Sequence, residues 1–327
     1  MKLLSRLTLC IVAAVTLTCC TNSEKPQKED SEKLTFSPDY NSIYHWKSTF
    51  NLSENEVAFL QKHDLGRIYV KMFDVVLEYD NLNGKGEIYP IATTKFVSPI
   101  PNGVEIVPVV YVTIEALREM KEREAEYAEL IVERALAMCR HNNCGTISEL
   151  QIDCDWTKTT KDSFNRLCKL AKELLREYNM ALSVTVRLHQ LQESAPPADR
   201  GVLMLYNTGA LENIETKNSI LDIADAKPYL KPTNYPIPLS YAYPAFGWGV
   251  KFTFGYFDSI VTDEETTSGS QYVHIRHERA SAAEVLEVKE LVEKMLGKPA
   301  NRNILYHLDE TQLKNYTDDE ISKILAN

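Results

Sequence analysis

Glycine is scarce in this sequence, and none of it is arranged to hold a phosphate. Only 12 of the 327 residues are glycine, and no Gly-rich turn follows the first strand-like segment at residues 43–50. A dinucleotide-binding fold depends on such a turn, because its backbone must approach the pyrophosphate closely. The sequence therefore argues against a nucleotide cofactor, and we expect no cofactor of another kind.

Positive charge is also in short supply. The chain has 36 Lys and Arg residues against 46 Asp and Glu residues, which gives a net charge of −10 at pH 7. Proteins that bind nucleic acid usually carry a basic stripe that neutralises phosphates, and the sequence has none. We therefore expect no nucleic-acid partner.

Metal-ligand patterns are missing as well. No strand-like segment carries a His-x-His pair of the kind that metal-dependent barrel hydrolases use. His45, His189 and His307 lie at the ends of different segments and could bind a metal together with Asp153. We expect no metal site. A metal-dependent hydrolase is therefore the least favoured function for this sequence.

Four cysteines follow residue 20, and their spacing is not that of a zinc site. Cys139 and Cys144 could close the short loop between them as a disulfide in an exported protein. Buried free thiols are the alternative, at least for Cys154 and Cys168.

The N-terminus has the layout of a secretory signal. Lys2 and Arg6 precede an apolar run over residues 7–17, which is too short to span a bilayer. Leu17 lies three residues before Cys20, and this spacing resembles a lipobox in which Cys20 is lipidated. There are two alternatives: Cys19 is the lipidated residue, or the segment is an ordinary cleaved signal.

The residues after this signal are polar and highly charged up to about position 35, so they cannot offset the entropy cost of folding. We therefore predict a signal peptide over residues 1–19, a disordered tether over 20–35 and a folded domain over 36–327. The predicted location is the cell envelope, on the periplasmic face or the outer membrane, where a monomer is held by its lipid.

Apolar segments rich in Val, Ile and Tyr alternate with helical patterns from about residue 43 onward, as in parallel strands joined by crossover helices. Helix starts are marked by three capping-box pairs, Ser53 with Glu56, Ser281 with Glu284 and Thr317 with Glu320. Eight strand candidates cover residues 43–50, 67–75, 104–112, 149–157, 181–189, 202–209, 237–246 and 303–309. This pattern favours an α/β fold with a single (β/α)8 TIM-type barrel over a doubly wound sheet, with the last four units less regular.

The most informative local feature is a pair of carboxylates, Asp153 and Asp155, in the fourth strand candidate. Residues two apart on a strand point to the same side. Inside a barrel the two charges would interact at short range, which raises the proton affinity of one and suits it to general acid catalysis. The alternative is a structural ion pair with Lys71 or Arg187 on neighbouring strands.

The segment that holds this pair, QIDCDWT at residues 151–157, resembles the fourth-strand signature of chitinase-like glycoside hydrolases of family 18. Residues 204–207 (MLYN) are similar to the Met-x-Tyr-Asp pattern of that family's sixth strand, and residues 237–249 resemble its seventh strand. A closer resemblance is to a group of uncharacterised bacterial exported lipoproteins, which share the Q-I-D-x-D strand followed by L-S-V-T, here residues 182–185. Both resemblances imply a TIM barrel, and the first implies action on a glycan, with an N-acetylated glycan as one candidate.

The sequence departs from the chitinase pattern at two positions. Thr157 stands where the pattern needs its proton-donating glutamate, and Asn207 stands where an acid follows the tyrosine. Either Asp155 is the general acid with Asp153 as its electrostatic partner, or another acid supplies the proton, or the barrel binds glycan without cleaving it. Asp74, Asp309 and Glu310 are the other acids considered.

The leading interpretation is a surface-anchored glycoside hydrolase that acts on a glycan, and the main alternative is a glycan-binding barrel without catalysis. In the hydrolase the acetamido oxygen of the substrate would be the nucleophile, because no second carboxylate is suitably close. The candidate substrate-binding residues share a position at or near a strand end and a polar or aromatic side chain. They are Tyr206, Asn207, Arg187, His189, Trp156, Lys71, Trp46 and Tyr243. For the tryptophans, packing in the core is the more common role.

We predict that Cys20 carries lipid in the mature protein. Mass spectrometry of the N-terminal peptide should show a chain that begins at Cys20 with an acyl modification. An unmodified mature N-terminus, or a different start, would contradict the prediction.

Overall fold

The computed structural model describes residues 40–79, 84, 86–262, 264–266 and 272–327. The predicted signal peptide, the whole predicted tether and Cys20 lie outside these residues. Within them, eight parallel strands close into a barrel, which confirms the predicted fold class.

The barrel strands follow one another around the barrel in chain order. They are β1 (Asn41–His45), β3 (Leu65–Tyr79), β6 (Glu105–Val112), β7 (Glu149–Asp153), β8 (Ala181–Arg187), β9 (Arg200–Met204), β10 (Leu239–Pro244) and β14 (Ile304–Tyr306). The sheet closes because β1 pairs in parallel with both β14 and β3. Each barrel strand corresponds to one of the eight predicted segments.

Helices cover the outside of the barrel. They are α1 (Glu54–Lys62), α2 (Ile114–Glu119), α3 (Glu124–His141), α4 (Lys161–Glu177), α5 (Ile223–Ala226), α6 (Ala282–Leu296), α7 (Glu310–Leu313) and α8 (Asp318–Leu325). The fifth strand, β8, is followed only by a 3-10 turn over Leu188–Gln192, and the sixth by the four-residue α5, so these units are less regular, as predicted. Among the described residues, no helix is long and apolar enough to cross a bilayer.

The helices begin where the sequence signals them. Ser53, Ser281 and Thr317 each form a capping box with the Glu three residues later, which satisfies backbone N–H groups at the helix start. In α4 the apolar side chains Phe164, Leu167, Cys168, Ala171 and Leu175 are buried, whereas Tyr178, one residue past the helix end, is 53% exposed.

Three additions extend the barrel. The hairpin partner β4 (Gly86–Ile91) runs antiparallel to the far end of β3, which makes β3 longer than predicted. The short strands β2 (Thr49–Phe50) and β5 (Lys95–Phe96) pair beside it. A three-stranded antiparallel sheet of β11 (Gly247–Thr253), β12 (Tyr256–Val261) and β13 (Val273–Arg279) separates β10 from α6.

Strand β7 sets the side chains that face the barrel interior. Gln151 and Asp153 contact residues of neighbouring strands inside the barrel, because successive side chains alternate between the two faces. Cys154 lies on the opposite side, close enough to Cys168 of α4 for the two groups to interact electrostatically. The predicted orientation of Cys154 is therefore confirmed.

The barrel interior is polar along its length. At the end where the strands begin, Glu149 pairs with Arg200 at 3.2 Å and accepts a hydrogen bond from the Tyr69 hydroxyl at 3.3 Å. One level above, Gln151 accepts a hydrogen bond from the Tyr44 hydroxyl at 2.7 Å and donates to Ser183 at 3.3 Å. A buried polar group is costly unless it is paired, so this column restricts which side chains the strands can carry.

We expect Glu149→Gln to lower the free energy of unfolding by about 3 kcal/mol, because it removes the negative charge that faces the buried Arg200 at 3.2 Å. The matched control is Glu133→Gln on the exposed face of α3, which should change stability by less than about 0.5 kcal/mol. Urea unfolding followed by circular dichroism measures both. Equal stability of the two variants would show that the ion pair is not needed.

Candidate functional site

Two carboxylates and one guanidinium meet at the C-terminal ends of β7 and β8. Arg187 donates from Nη2 to Asp153 Oδ1 at 3.2 Å and from Nε to Asp155 Oδ1. Thr185 donates to the same oxygen of Asp153 at 2.5 Å. The Asp153 side chain is 4% exposed and the Asp155 side chain 41% exposed, so one acid is enclosed and the other faces the solvent.

Burial dominates the electrostatics of this group. Burial raises the pKa of Asp153, with the nearby Asp155 adding to the effect while Arg187 and Thr185 oppose it. Burial also works against the charge of Arg187, but the two carboxylates outweigh it and hold the Arg187 pKa well above its usual range. The guanidinium is therefore a permanent positive charge between the two acids.

A cleft of about 280 Å³ opens beside this ion-pair cluster. Its walls carry polar groups from the ends of three strands together with a few apolar side chains. They are Asp155, Arg187, Leu188, His189, Met204, Tyr206, Asn207, Thr208 and Tyr229. Five of the predicted site residues, Asp155, Arg187, His189, Tyr206 and Asn207, thus lie in one cleft, and Asp153 lies behind them.

An aromatic cluster adjoins the cleft and centres on Tyr306 of β14. The Tyr306 ring stacks on Tyr206 with centroids 4.4 Å apart and lies 5.7 Å from Trp46 and 5.6 Å from Phe246. Burial raises the pKa of both Tyr206 and Tyr306, so their hydroxyls stay protonated. Trp46, one of the predicted substrate-binding residues, is thus linked through Tyr306 to Tyr206 in the cleft.

Lys71 lies beside Trp46 rather than beside the acid pair. Its Nζ is 2.9 Å from Asp74 Oδ2 and 5.8 Å from the centroid of the Trp46 ring. Of the two basic partners considered for Asp153 and Asp155, the structure therefore uses Arg187. Lys71 completes a separate pair at the end of β3.

Two predicted substrate-binding residues need correction. Trp156 is 1% exposed and packs against Phe164 of α4 with ring centroids 6.1 Å apart, so its ring offers no face to a ligand. Tyr243 is fully buried and interacts with Glu293 of α6, on the helix side of β10. Both side chains alternate outward from the barrel, which a short motif does not reveal.

Two tyrosines near the acids were not predicted. Tyr111 pairs in register with Asp153 on the neighbouring strand, and burial followed by the charges of Asp155 and Asp153 raises its pKa. Tyr229 is 39% exposed and lines the cleft from the loop after α5. The position of Tyr111 near the end of a predicted strand was a usable signal, whereas Tyr229 lies in irregular chain without one.

The other acids considered as proton donors have different surroundings. Asp309 caps α7 through Thr311 at 2.9 Å and pairs with Lys47 at 3.3 Å. Glu310 accepts a hydrogen bond from Ser53 at 2.7 Å. Asp74 alone of these three keeps a buried carboxylate oxygen, Oδ1, without a partner in the structure, and it contributes to the raised pKa of Asp153.

Thr157, at the position of the chitinase glutamate, belongs to the start of α4. Its backbone N–H donates to Thr160 Oγ1 at 2.9 Å, and its hydroxyl lies 3.0 Å from that of Thr159. These bonds organise the turn before the helix, as Thr side chains commonly do. The side chain therefore has a local structural role here.

The histidines at the strand ends do not form a metal site with Asp153. His189 is exposed at the cleft, whereas His45 and His307 interact with each other and lie near Asp309 and Lys47. In the described part of the chain, no group of three or more His, Cys, Asp or Glu side chains could hold a metal ion.

Solved structures with a similar fold include a spore cortex-lytic enzyme and chitinases. The chain is similar to the spore cortex-lytic enzyme SleL of Bacillus cereus, with a TM-score of 0.52, 14% identity and coverage of 89% of this chain and 76% of that one. It is similar to a chitinase of Chromobacterium violaceum, with a TM-score of 0.51, 12% identity and coverage of 88% and 99%. A chitinase catalytic domain of Ostrinia furnacalis in complex with penta-N-acetylchitooctaose has a TM-score of 0.50, 10% identity and coverage of 88% and 95%.

No family model matches the sequence, and no curated protein matches it. The relationship is therefore visible in the fold and in short motifs alone. At this level the distant resemblance to chitinase-like glycoside hydrolases is confirmed.

The buried histidine pair gives a prediction about pH. Burial lowers the pKa of both His45 and His307 from 6.5 to about 4. Between these values the unfolded chain binds protons that the folded chain excludes, so stability should fall as the pH drops from 6.5 to 4. The loss is about 3 kcal/mol for each histidine that titrates independently.

Denaturant unfolding across this pH range measures the loss. His45→Gln should remove its share of the pH dependence. An unchanged slope in His45→Gln would refute the assignment.

Proposed function

We propose that this protein is a lipid-anchored barrel of the cell envelope that binds a glycan in the cleft beside Asp155 and Arg187, without cleaving it by the acid mechanism of chitinases. The observation that carries this proposal is the Arg187 guanidinium, which contacts Asp153 and Asp155 together. Both carboxylates are therefore ion-pair partners of one guanidinium.

The composition of the cleft suits a sugar. Glycans have hydroxyl groups that need hydrogen-bond partners and ring faces that pack on aromatic side chains. Asn207, His189 and Arg187 supply polar groups, while Tyr229 presents a partly exposed ring. A few convergent polar groups beside aromatic surface are the usual content of a small-molecule site.

The missing proton donor supports binding over cleavage. Thr157 replaces the chitinase glutamate and is bonded within the turn before α4. A threonine hydroxyl is too weak an acid to protonate a leaving group at neutral pH. Asp309 caps a helix, and Glu310 accepts a hydrogen bond from Ser53. Neither carboxylate is therefore free to act as the proton donor.

A glycoside hydrolase is the second candidate, and the raised pKa of Asp153 favours it. A pKa raised by burial is a change in the direction that general acid catalysis requires. In this candidate Asp155 is the general acid, Asp153 is its electrostatic partner, and Tyr206 and Asn207 hold the reacting sugar. Asp74, with its unpartnered oxygen, is the reserve proton donor.

The proposal includes an anchor and a partner class. A lipid on Cys20 would hold the barrel at the membrane through the polar segment before residue 36, on the periplasmic face or the outer membrane. The acidic composition supports a carbohydrate rather than a nucleic acid as partner. We propose that the protein acts as a monomer.

Titration calorimetry with chitin-type, mannan-type and peptidoglycan-type fragments tests the binding site. We expect one class to bind, and Tyr229→Ala to weaken its binding about tenfold, a loss of about 1.4 kcal/mol. The matched control is Tyr256→Ala, which removes a ring that is 79% exposed outside the cleft and should leave the affinity unchanged. If none of the fragments binds, or if both variants bind equally well, the cleft is not the glycan site.

The same fragments distinguish binding from hydrolysis. We expect no new reducing ends with the wild type or with Asp155→Asn. Cleavage by the wild type that falls about a hundredfold or more in Asp155→Asn, with binding retained, would establish the hydrolase instead. Asp74→Asn in parallel shows whether the proton comes from that acid.

A further inference from the structure

The end of α3 brings two thiols close together. Cys139 lies in the last turn of the helix and Cys144 five residues later, near enough for each thiol to affect the pKa of the other. The Cys144 backbone N–H also donates to the Cys139 carbonyl at 3.0 Å. Both cysteines are free thiols in the structure, and each is 3% exposed.

The turn between them is built to bring these residues together. Asn142 caps the helix, and Asn143 takes a left-handed conformation with φ of 53°, which turns the chain back toward α3. Asparagine tolerates this conformation better than most residues. The backbone of this turn therefore holds Cys144 next to Cys139.

We propose that Cys139 and Cys144 are a redox pair that closes into a disulfide when the protein meets a disulfide oxidant. The inference is independent of the proposed glycan site. The loop after Cys144 leads directly into β7, the strand that carries Asp153.

The interaction between the two thiols gives them different roles. It raises the pKa of Cys139, which burial raises further, and it lowers the pKa of Cys144 against the effect of burial. Cys144 is thus the first of the pair to ionise, and the thiolate is the form that attacks a disulfide.

The exchange proceeds in two balanced steps. The Cys144 thiolate attacks one sulfur of glutathione disulfide, which forms a mixed disulfide and releases one glutathione thiolate. The Cys139 thiol then loses its proton and attacks the Cys144 sulfur, which releases the second glutathione. The protein loses two electrons and two protons, and the oxidant is reduced to two thiols.

The other two cysteines of the barrel provide the comparison. Cys154 and Cys168 are fully buried, and burial raises the pKa of both. They lie on separate elements, Cys154 just after β7 and Cys168 within α4, and are not joined by a short turn as Cys139 and Cys144 are. We expect them to remain reduced under conditions that oxidise the first pair.

The test treats the full-length chain with glutathione disulfide, blocks the remaining thiols and digests the protein with trypsin and Glu-C. Cleavage after Arg140 and Glu149 separates Cys139, Cys144 and Cys154 into different peptides. We expect residues 135–140 and 141–149 to stay linked until a reductant is added. Closure of so short a loop should raise the melting temperature by about 3 °C.

Two variants provide the controls. Cys139→Ser should give neither the linked peptide nor the rise in melting temperature, while Cys168→Ser should keep both. Reduced Cys139 and Cys144 after prolonged treatment, or a linkage to Cys154 or Cys168, would overturn the proposal.

Discussion

The buried carboxylate of Asp153 is the constraint on which the site depends. A carboxylate that is almost fully enclosed is costly unless charge and hydrogen bonds compensate it. Thr185 and Arg187 provide this compensation from the neighbouring strand, two residues apart on its inner face. Because Arg187 is fixed in this way, it also pairs with Asp155, and its position determines which groups face the cleft.

The polar interior of the barrel extends this constraint downward. Gln151 joins Tyr44 to Ser183, and Glu149 joins Tyr69 to Arg200, so each inward side chain of β7 has partners on other strands. Networks of this kind hold their members in one arrangement, because a half-satisfied network is worse than an apolar one. The acids at the mouth therefore rest on a rigid support.

The fold and the site carry different information about function. The fold is similar to that of a spore cortex-lytic enzyme and a chitinase, and the aspartates of the segment that resembles the chitinase motif lie at the end of β7. The proton-donating position has instead become part of a helix start at Thr157. A fold of this kind supports many chemistries, so the residues at the strand ends decide the function.

The sequence by itself determined the eight strands, three of the helix starts and the inward direction of Asp153, because each rests on local periodicity or capping chemistry. It did not determine that Arg187 rather than Lys71 pairs with the acids, that Trp156 and Tyr243 are core residues, or that Tyr229 lines the cleft. These outcomes depend on strand stagger, on the helix that covers each strand and on an irregular loop. Such features bring together residues far apart in the chain, and only the tertiary structure decides their distances.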